Sequence, residues 1–71
     1  MIIDLHGLTV VEATSETLMA LLTFEEDNLE YELTIITGVG TGRVKNAITD
    51  LLNEEGYIYE IINNGSIRIK K

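Results

Sequence analysis

Three glycines at every second position interrupt the middle of the chain, in the hexapeptide TGVGTG of residues 37–42. The apolar run LTII precedes this hexapeptide, and the amphipathic stretch RVKNAITDLL follows it. A short apolar, β-branched run predicts a strand, whereas apolar residues at spacings of three and four predict a helix. The hexapeptide is therefore a strand-to-helix connection whose glycines leave backbone amides unshielded.

The same patterns predict three further strands and one further helix. Thr9 and Glu12 fit the capping box that begins a helix, and this first helix should fray near residues 24–28. Gly56 is placed to end the second helix as a left-handed cap. The predicted strands are residues 1–5, 33–36, 57–62 and 66–70. The order is β-α-β-α-β-β, which predicts an α/β fold in a single domain of residues 1–71.

The last two strands should form a hairpin, because Asn64-Gly65 is the dipeptide that a two-residue type I′ turn prefers. That register places Ile62 opposite Ile67 and leaves Glu60 on the apolar face without an explanation. The opposite face would then resemble a base-stacking platform with phosphate contacts. Its members are Tyr57, Tyr59, Ile61, Arg68 and Lys70. The alternative is two half-buried tyrosines covered by the stems of lysine and arginine.

Charge is distributed unevenly along the chain, whose net charge is -7. Residues 1–42 contain eight acidic side chains and no lysine or arginine, so every fixed positive charge lies in residues 43–71. An acidic surface argues at first against nucleic acid, because it repels phosphate. The chain contains no cysteine, and it shows neither a secretion signal nor an apolar stretch of membrane-spanning length. We therefore expect a soluble, cytoplasmic protein without membrane contact.

A candidate site follows from the order of the elements. A right-handed β-α-β unit makes the first two strands parallel, so His6-Gly7 and TGVGTG should meet at the carboxyl edge of the sheet. The segment lacks the residues of a Walker loop or a dinucleotide fingerprint, because Arg43 and Val44 follow Gly42. Two explanations stay open: an anion held by amides and Arg43, or a tight turn that merely needs glycine.

His6 is the only histidine, the residue type whose unperturbed pKa lies near neutral pH. Asp4, two positions earlier in the strand, should point to the same side. The pair could supply a proton acceptor and its orienting carboxylate. The alternative is a hydrogen-bonded turn histidine without a chemical role. We expect no cofactor and no metal ion, because two potential ligands at one edge fall short of a closed site.

Two motifs together resemble the Smr (small MutS-related) domain across essentially the whole chain. The first is Asp4-Leu5-His6-Gly7, which is similar to the family's DLHG motif, and the second is TGVG followed by Thr-Gly. The resemblance implies a two-layer sandwich with a mixed four-stranded sheet and two helices. It also implies nucleic-acid binding, RNA or DNA, and, as in several members of the family, a possible endonuclease activity that nicks DNA or cleaves RNA, in some members on ribosomes.

The resemblance also assigns roles to residues. Asp4 and His6 match the catalytic motif, whereas the second motif and the start of the next helix would bind nucleic acid. The nucleic-acid-binding set is Thr37, Gly38, Gly40, Thr41, Gly42, Arg43 and Lys45. The chain departs from many bacterial members at Thr37, where they carry a second histidine.

Two other interpretations stay open. One is a non-catalytic module that docks its acidic helix on a basic protein or a ribosomal surface, since the fixed charges of residues 1–42 are all acidic. The other is the terminal domain of a larger MutS-related protein. The sequence leaves RNA versus DNA, the specific target and the oligomeric state undecided.

Overall fold

The computed structural model describes all 71 residues, and its elements follow the predicted β-α-β-α-β-β order. The four strands form one mixed sheet in the order β1-β2-β4-β3, with β1 parallel to β2 and β4 antiparallel to β2 and β3. The bounds are β1 Ile2–Asp4, α1 Val10–Glu26, β2 Glu32–Ile36, α2 Arg43–Glu54, β3 Tyr59–Asn63 and β4 Ser66–Lys70. Neither helix combines the length and apolarity that crossing a membrane requires.

Local signals set the helix ends as predicted. The Thr9 hydroxyl accepts a hydrogen bond from the amide of Glu12 at 3.2 Å, and the Glu12 carboxylate accepts one from the amide of Thr9 at 2.9 Å. The hydrogen bond that the Thr9 amide donates to the Glu12 carboxylate holds the pKa of Glu12 below its usual value, and the Thr9 side chain adds to this effect. After α2, Gly56 adopts a φ of 78°, so the left-handed glycine cap is confirmed.

One hydrophobic core joins the sheet to both helices. Leu33 and Ile35 of β2 alternate inward, as do Ile67 and Ile69 of β4 beside it. The full core cluster is Leu5, Ala13, Leu21, Phe24, Leu33, Ile35, Ile48, Leu52, Ile67 and Ile69. Because residues between these positions on the strands stay accessible, the sheet has one covered face and one open face, and the predicted two-layer sandwich is confirmed.

The β3–β4 hairpin differs from the prediction in two respects. Asn63 pairs with Ser66, which leaves Asn64-Gly65 as a two-residue loop, but neither residue has a positive φ, so the turn is not type I′. Ile61 pairs with Ile67, so Ile62 is an extra residue that forms a β-bulge. A bulge shifts the following register by one residue, and this reverses the face of every side chain beyond it.

The predicted base-stacking platform is wrong for this reason. Tyr59 lies opposite Ile69 and packs against the core instead of sharing a face with Arg68 and Lys70. Glu60 now faces Arg68 on the open side, with 2.6 Å between Arg68 Nη2 and Glu60 Oε1. The hydrogen bond and the charge of Arg68 hold the pKa of Glu60 below its usual value. Glu60 therefore does not lie on the apolar face, where the predicted register had placed it.

Candidate nucleic-acid interface

Two connections meet at the carboxyl edge of the parallel pair β1 and β2, as predicted. The main chain of Leu5 donates a hydrogen bond to the carbonyl of Ile36 at 2.7 Å, which holds the two strand ends side by side. Beyond this contact, His6-Gly7 and residues 37–45 line an open cleft of about 270 Å³. The helix α2 begins at the floor of this cleft, so a strand end, a glycine loop and a helix N-terminus share one surface.

The imidazole of His6 lies directly over Gly38. A β-carbon on Gly38 would lie 3.0 Å from Cδ2 of His6, which is closer than side chains normally approach each other. Gly38 also has a φ of 78°, a conformation that L-residues adopt only at a cost. The first glycine of the hexapeptide therefore serves both the turn and the close approach of the histidine.

Asp4 supports His6 through the main chain. Its Oδ1 accepts a hydrogen bond from the backbone amide of His6 at 2.9 Å, just beyond the last residue of β1. The imidazole itself makes no hydrogen bond within the chain and is exposed to the cleft. Asp4 thus fixes the backbone from which the imidazole projects, and the two catalytic candidates are neighbours without a direct contact between carboxylate and ring.

The tip of the hairpin forms a third side of the site, which the sequence did not predict. The carbonyl of Gly65 accepts hydrogen bonds from the amides of Thr37 at 2.8 Å and Gly38 at 3.3 Å. A β-carbon on Gly65 would lie 3.3 Å from the carbonyl carbon of Gly38. The sequence assigns this glycine to the turn alone, and its other role depends on a strand order that places β4 beside β2.

Backbone amides of the loop and of the first turn of α2 point to no acceptor within the chain. Gly42 is the N-cap residue and supplies no side-chain cap, and the amide of Arg43 has only a long contact of 3.5 Å with the Thr41 hydroxyl. The amides of residues 39–42 and of Val44 and Lys45 have no acceptor in the chain. Unpaired amides at a helix start attract anions, because they add to the positive end of the helix dipole.

Positive side chains at the same edge are also free of carboxylates. Arg43 and Lys45 line the cleft and take part in none of the salt bridges of the chain. Arg68, in contrast, lies between Glu60 and Glu32, and Lys71 donates to the carbonyl of Asp27. The overall charge of -7 therefore conceals an edge where local charge is positive.

Comparison with known proteins identifies the family. A family model described as the Smr domain matches residues 3–64. The chain belongs to the Smr domain family. This is a family of small nucleic-acid-binding domains.

Solved structures agree with this assignment. The chain is similar to the crystal structure of the human small-MutS related domain, with 28% identity, a TM-score of 0.86 and full coverage of both chains. It is also similar to the solution structure of the B3BP Smr domain, with 26% identity and a TM-score of 0.87 over 97% of this chain and 75% of that one. No curated protein sequence matches the chain.

Thr37 begins the second Smr motif but contributes little surface to the cleft. Its side chain continues the inward alternation of Leu33 and Ile35 and is only 7% exposed. Its hydroxyl makes a long hydrogen bond of 3.4 Å to the carbonyl of Gly38. His6, the one histidine of the chain, is exposed and lines this cleft. The structure brings together no group of three or more histidine, cysteine or acidic side chains that could hold a metal ion.

Proposed function

We propose that this Smr domain binds a strand of nucleic acid across the loop of residues 37–42, with one phosphate held at the start of α2. The observation that carries the proposal is the coincidence of unpaired backbone amides with the unpaired charges of Arg43 and Lys45. Amides bind phosphate oxygens through hydrogen bonds, and a guanidinium can bind two of them at once. Membership of a nucleic-acid-binding family supports the same function.

We propose further that the domain cleaves the bound strand as an endonuclease. A water molecule attacks the phosphorus, the bond to one sugar oxygen breaks, and that oxygen gains the proton that the attacking water loses. His6 is the group that accepts or donates this proton, and Arg43 stabilises the negative charge that develops on the phosphate. Asp4 is a positioning residue, since its hydrogen bond to the His6 amide fixes the direction in which the imidazole projects.

Salt-dependent binding to short single-stranded RNA and DNA tests the binding site. Each phosphate contact with a single strand contributes a slope of roughly 0.7 in log affinity against log salt, so Arg43→Ala should weaken binding and reduce the slope by about that amount. Lys70→Ala is the matched control, because it removes one positive charge from the far end of β4. Equal losses in both variants would show that net charge, and not this cleft, determines the binding.

Cleavage is tested separately with His6→Ala. We expect this variant to retain binding and to lose cleavage of the same oligonucleotides, because the phosphate contacts come from the loop and from α2. Cleavage that continues at the wild-type rate would remove His6 from the chemistry. Binding without cleavage in the wild-type domain would retain the nucleic-acid function and refute the endonuclease.

A second candidate function is a non-catalytic module that docks on a basic protein or a ribosomal surface. The observation in its favour is the acidic end of α1, where the exposed Glu25 and Glu26 are followed by the half-buried Asp27 and Glu30. The threonine at position 37 is consistent with this function, because it leaves His6 as the one imidazole in the cleft. A wild-type domain without RNA affinity even at low salt would favour this candidate over the nuclease.

A further inference from the structure

A second cleft adjoins the glycine loop, next to the hairpin tip. Its volume is about 330 Å³, and its walls come from three segments of the chain. It shares the loop of residues 38–42 and Lys45 with the cleft that contains His6. Its lining residues are Gly38, Val39, Gly40, Thr41, Gly42, Lys45, Asn46 and Asn64. None of the motifs that identify the family includes Asn46 or Asn64.

Two side-chain amides in this second cleft have no partner. Asn46 in the first turn of α2 and Asn64 at the hairpin tip make no side-chain hydrogen bond within the chain. Their neighbour Asn63 differs, because its Oδ1 accepts a hydrogen bond from the amide of Gly65 at 2.9 Å. Each free amide offers both a donor and an acceptor, and this combination complements the edge of a nucleobase.

The hairpin holds Asn64 in a fixed relation to the loop. The hydrogen bonds from Thr37 and Gly38 to the carbonyl of Gly65 join the tip to the glycine loop immediately after Asn64. Lys45 lines both clefts, so it lies where a strand would pass from one to the other. The second cleft therefore adjoins the loop on which we propose that a phosphate binds.

We infer that the second cleft is a subsite for the base of the nucleotide adjacent to the bound phosphate, with its edge hydrogen-bonded by Asn46 and Asn64. The inference rests on the proposed nucleic-acid binding at the loop. We expect the nucleotide to be unpaired, because an unpaired base offers all of its edges, whereas the bases of a duplex use their pairing edges for each other. Neutral amides add affinity through the base and leave the number of phosphate contacts unchanged, which separates this subsite from Arg43.

The test compares a fluorescently labelled oligoadenylate with an abasic oligomer of the same length, since the side-chain amide of asparagine pairs well with adenine. The variant is Asn46→Ala/Asn64→Ala, and Asn53→Ala at the exposed end of α2 is the matched control. Neither substitution should disturb the fold. The φ of Asn64 is not positive, so alanine fits its backbone, and Asn46 occupies an exposed helix position that favours alanine.

We expect the double variant to bind oligoadenylate about five- to tenfold more weakly, as the loss of one or two net hydrogen bonds requires. Its salt dependence and its affinity for the abasic oligomer should equal those of the wild type. If the double variant binds oligoadenylate as tightly as the wild type, or loses equal affinity for both oligomers, the subsite is overturned and the phosphate site stays intact. If the wild-type domain binds neither oligomer, the proposed function fails and the subsite fails with it.

Discussion

Replacing Gly38 by alanine should destabilise the domain and move the imidazole of His6. The matched control lies two residues away in the same loop. A β-carbon on Gly40 would have no atom within 4 Å, and the φ of Gly40 is not positive. The two substitutions add the same methyl group to the same loop, so they affect the unfolded chain in the same way. The difference between their free energies of unfolding therefore reports the cost of a side chain at position 38 in the folded structure.

The size of the difference follows from the backbone. Holding an L-residue in the left-handed region costs roughly 1–2 kcal/mol, and Gly38 has a φ of 78°. The gain from restricting the unfolded chain, about 0.4–1 kcal/mol, applies to both variants. Gly40→Ala should therefore be neutral or slightly stabilising, with Gly38→Ala about 1–2 kcal/mol less stable than Gly40→Ala. The 3.0 Å contact with His6 should be relieved by rotation of the exposed ring.

Urea unfolding of the wild type and both variants measures the free energies, and the ring resonances of His6 report the displacement. Thermal unfolding gives a second measure, since a change of 1 kcal/mol in the free energy of unfolding of a domain of this size shifts Tm by about 4–8 °C. We expect the ring resonances to change in Gly38→Ala and to stay constant in Gly40→Ala. Equal stabilities together with unchanged ring resonances would refute the role assigned to Gly38.

Three further changes test other parts of the structure. Thr17→Val should raise the free energy of unfolding, measured in urea, by about 1 kcal/mol, because the buried Thr17 hydroxyl has no hydrogen-bond partner. A lower free energy of unfolding in the variant would contradict this, because it would mean that the hydroxyl is hydrogen-bonded. Burial, followed by the hydrogen bond that its hydroxyl donates to Glu25, raises the pKa of Tyr57 from 10.0 to about 12. Wild-type stability should therefore fall as pH rises from about 10 towards 12, and Tyr57→Phe should make this fall smaller in urea titrations; an unchanged fall would contradict the shift. Arg68→Met should raise the pKa of Glu60 in carboxyl titrations by NMR; no change would contradict their pairing.

Local signals in the sequence predicted much of the fold. The capping box at Thr9, the glycine cap at Gly56 and the parallel pair β1 and β2 were each predicted and are each confirmed. These features depend on residues a few positions apart, or on the strong handedness of the β-α-β unit. Such signals are sufficient to define the order of elements and the edge at which the two motifs meet.

The hairpin register was not predictable from the same kind of signal. The bulge at Ile62 lets Tyr59 and Ile61 join the apolar side and lets Glu60 reach Arg68. Its advantage is therefore set by tertiary packing and by an ion pair across strands, whereas the sequence of the turn favours an unbulged hairpin. The role of Gly65 was not predictable for a related reason, because its contact with Gly38 exists only when β4 lies beside β2.

The charge distribution determines how an acidic domain can still approach a phosphate strand. At low salt, where the Debye length reaches about 30 Å, an approaching strand experiences the net charge of -7 and is repelled. At contact it meets Arg43, Lys45 and the amides of the loop, which no carboxylate neutralises. Moderate salt screens the long-range repulsion before it weakens the short-range contacts. Association rates should therefore rise or stay constant as salt increases from low to moderate levels, while the affinity falls, so the loss of affinity should lie in faster dissociation.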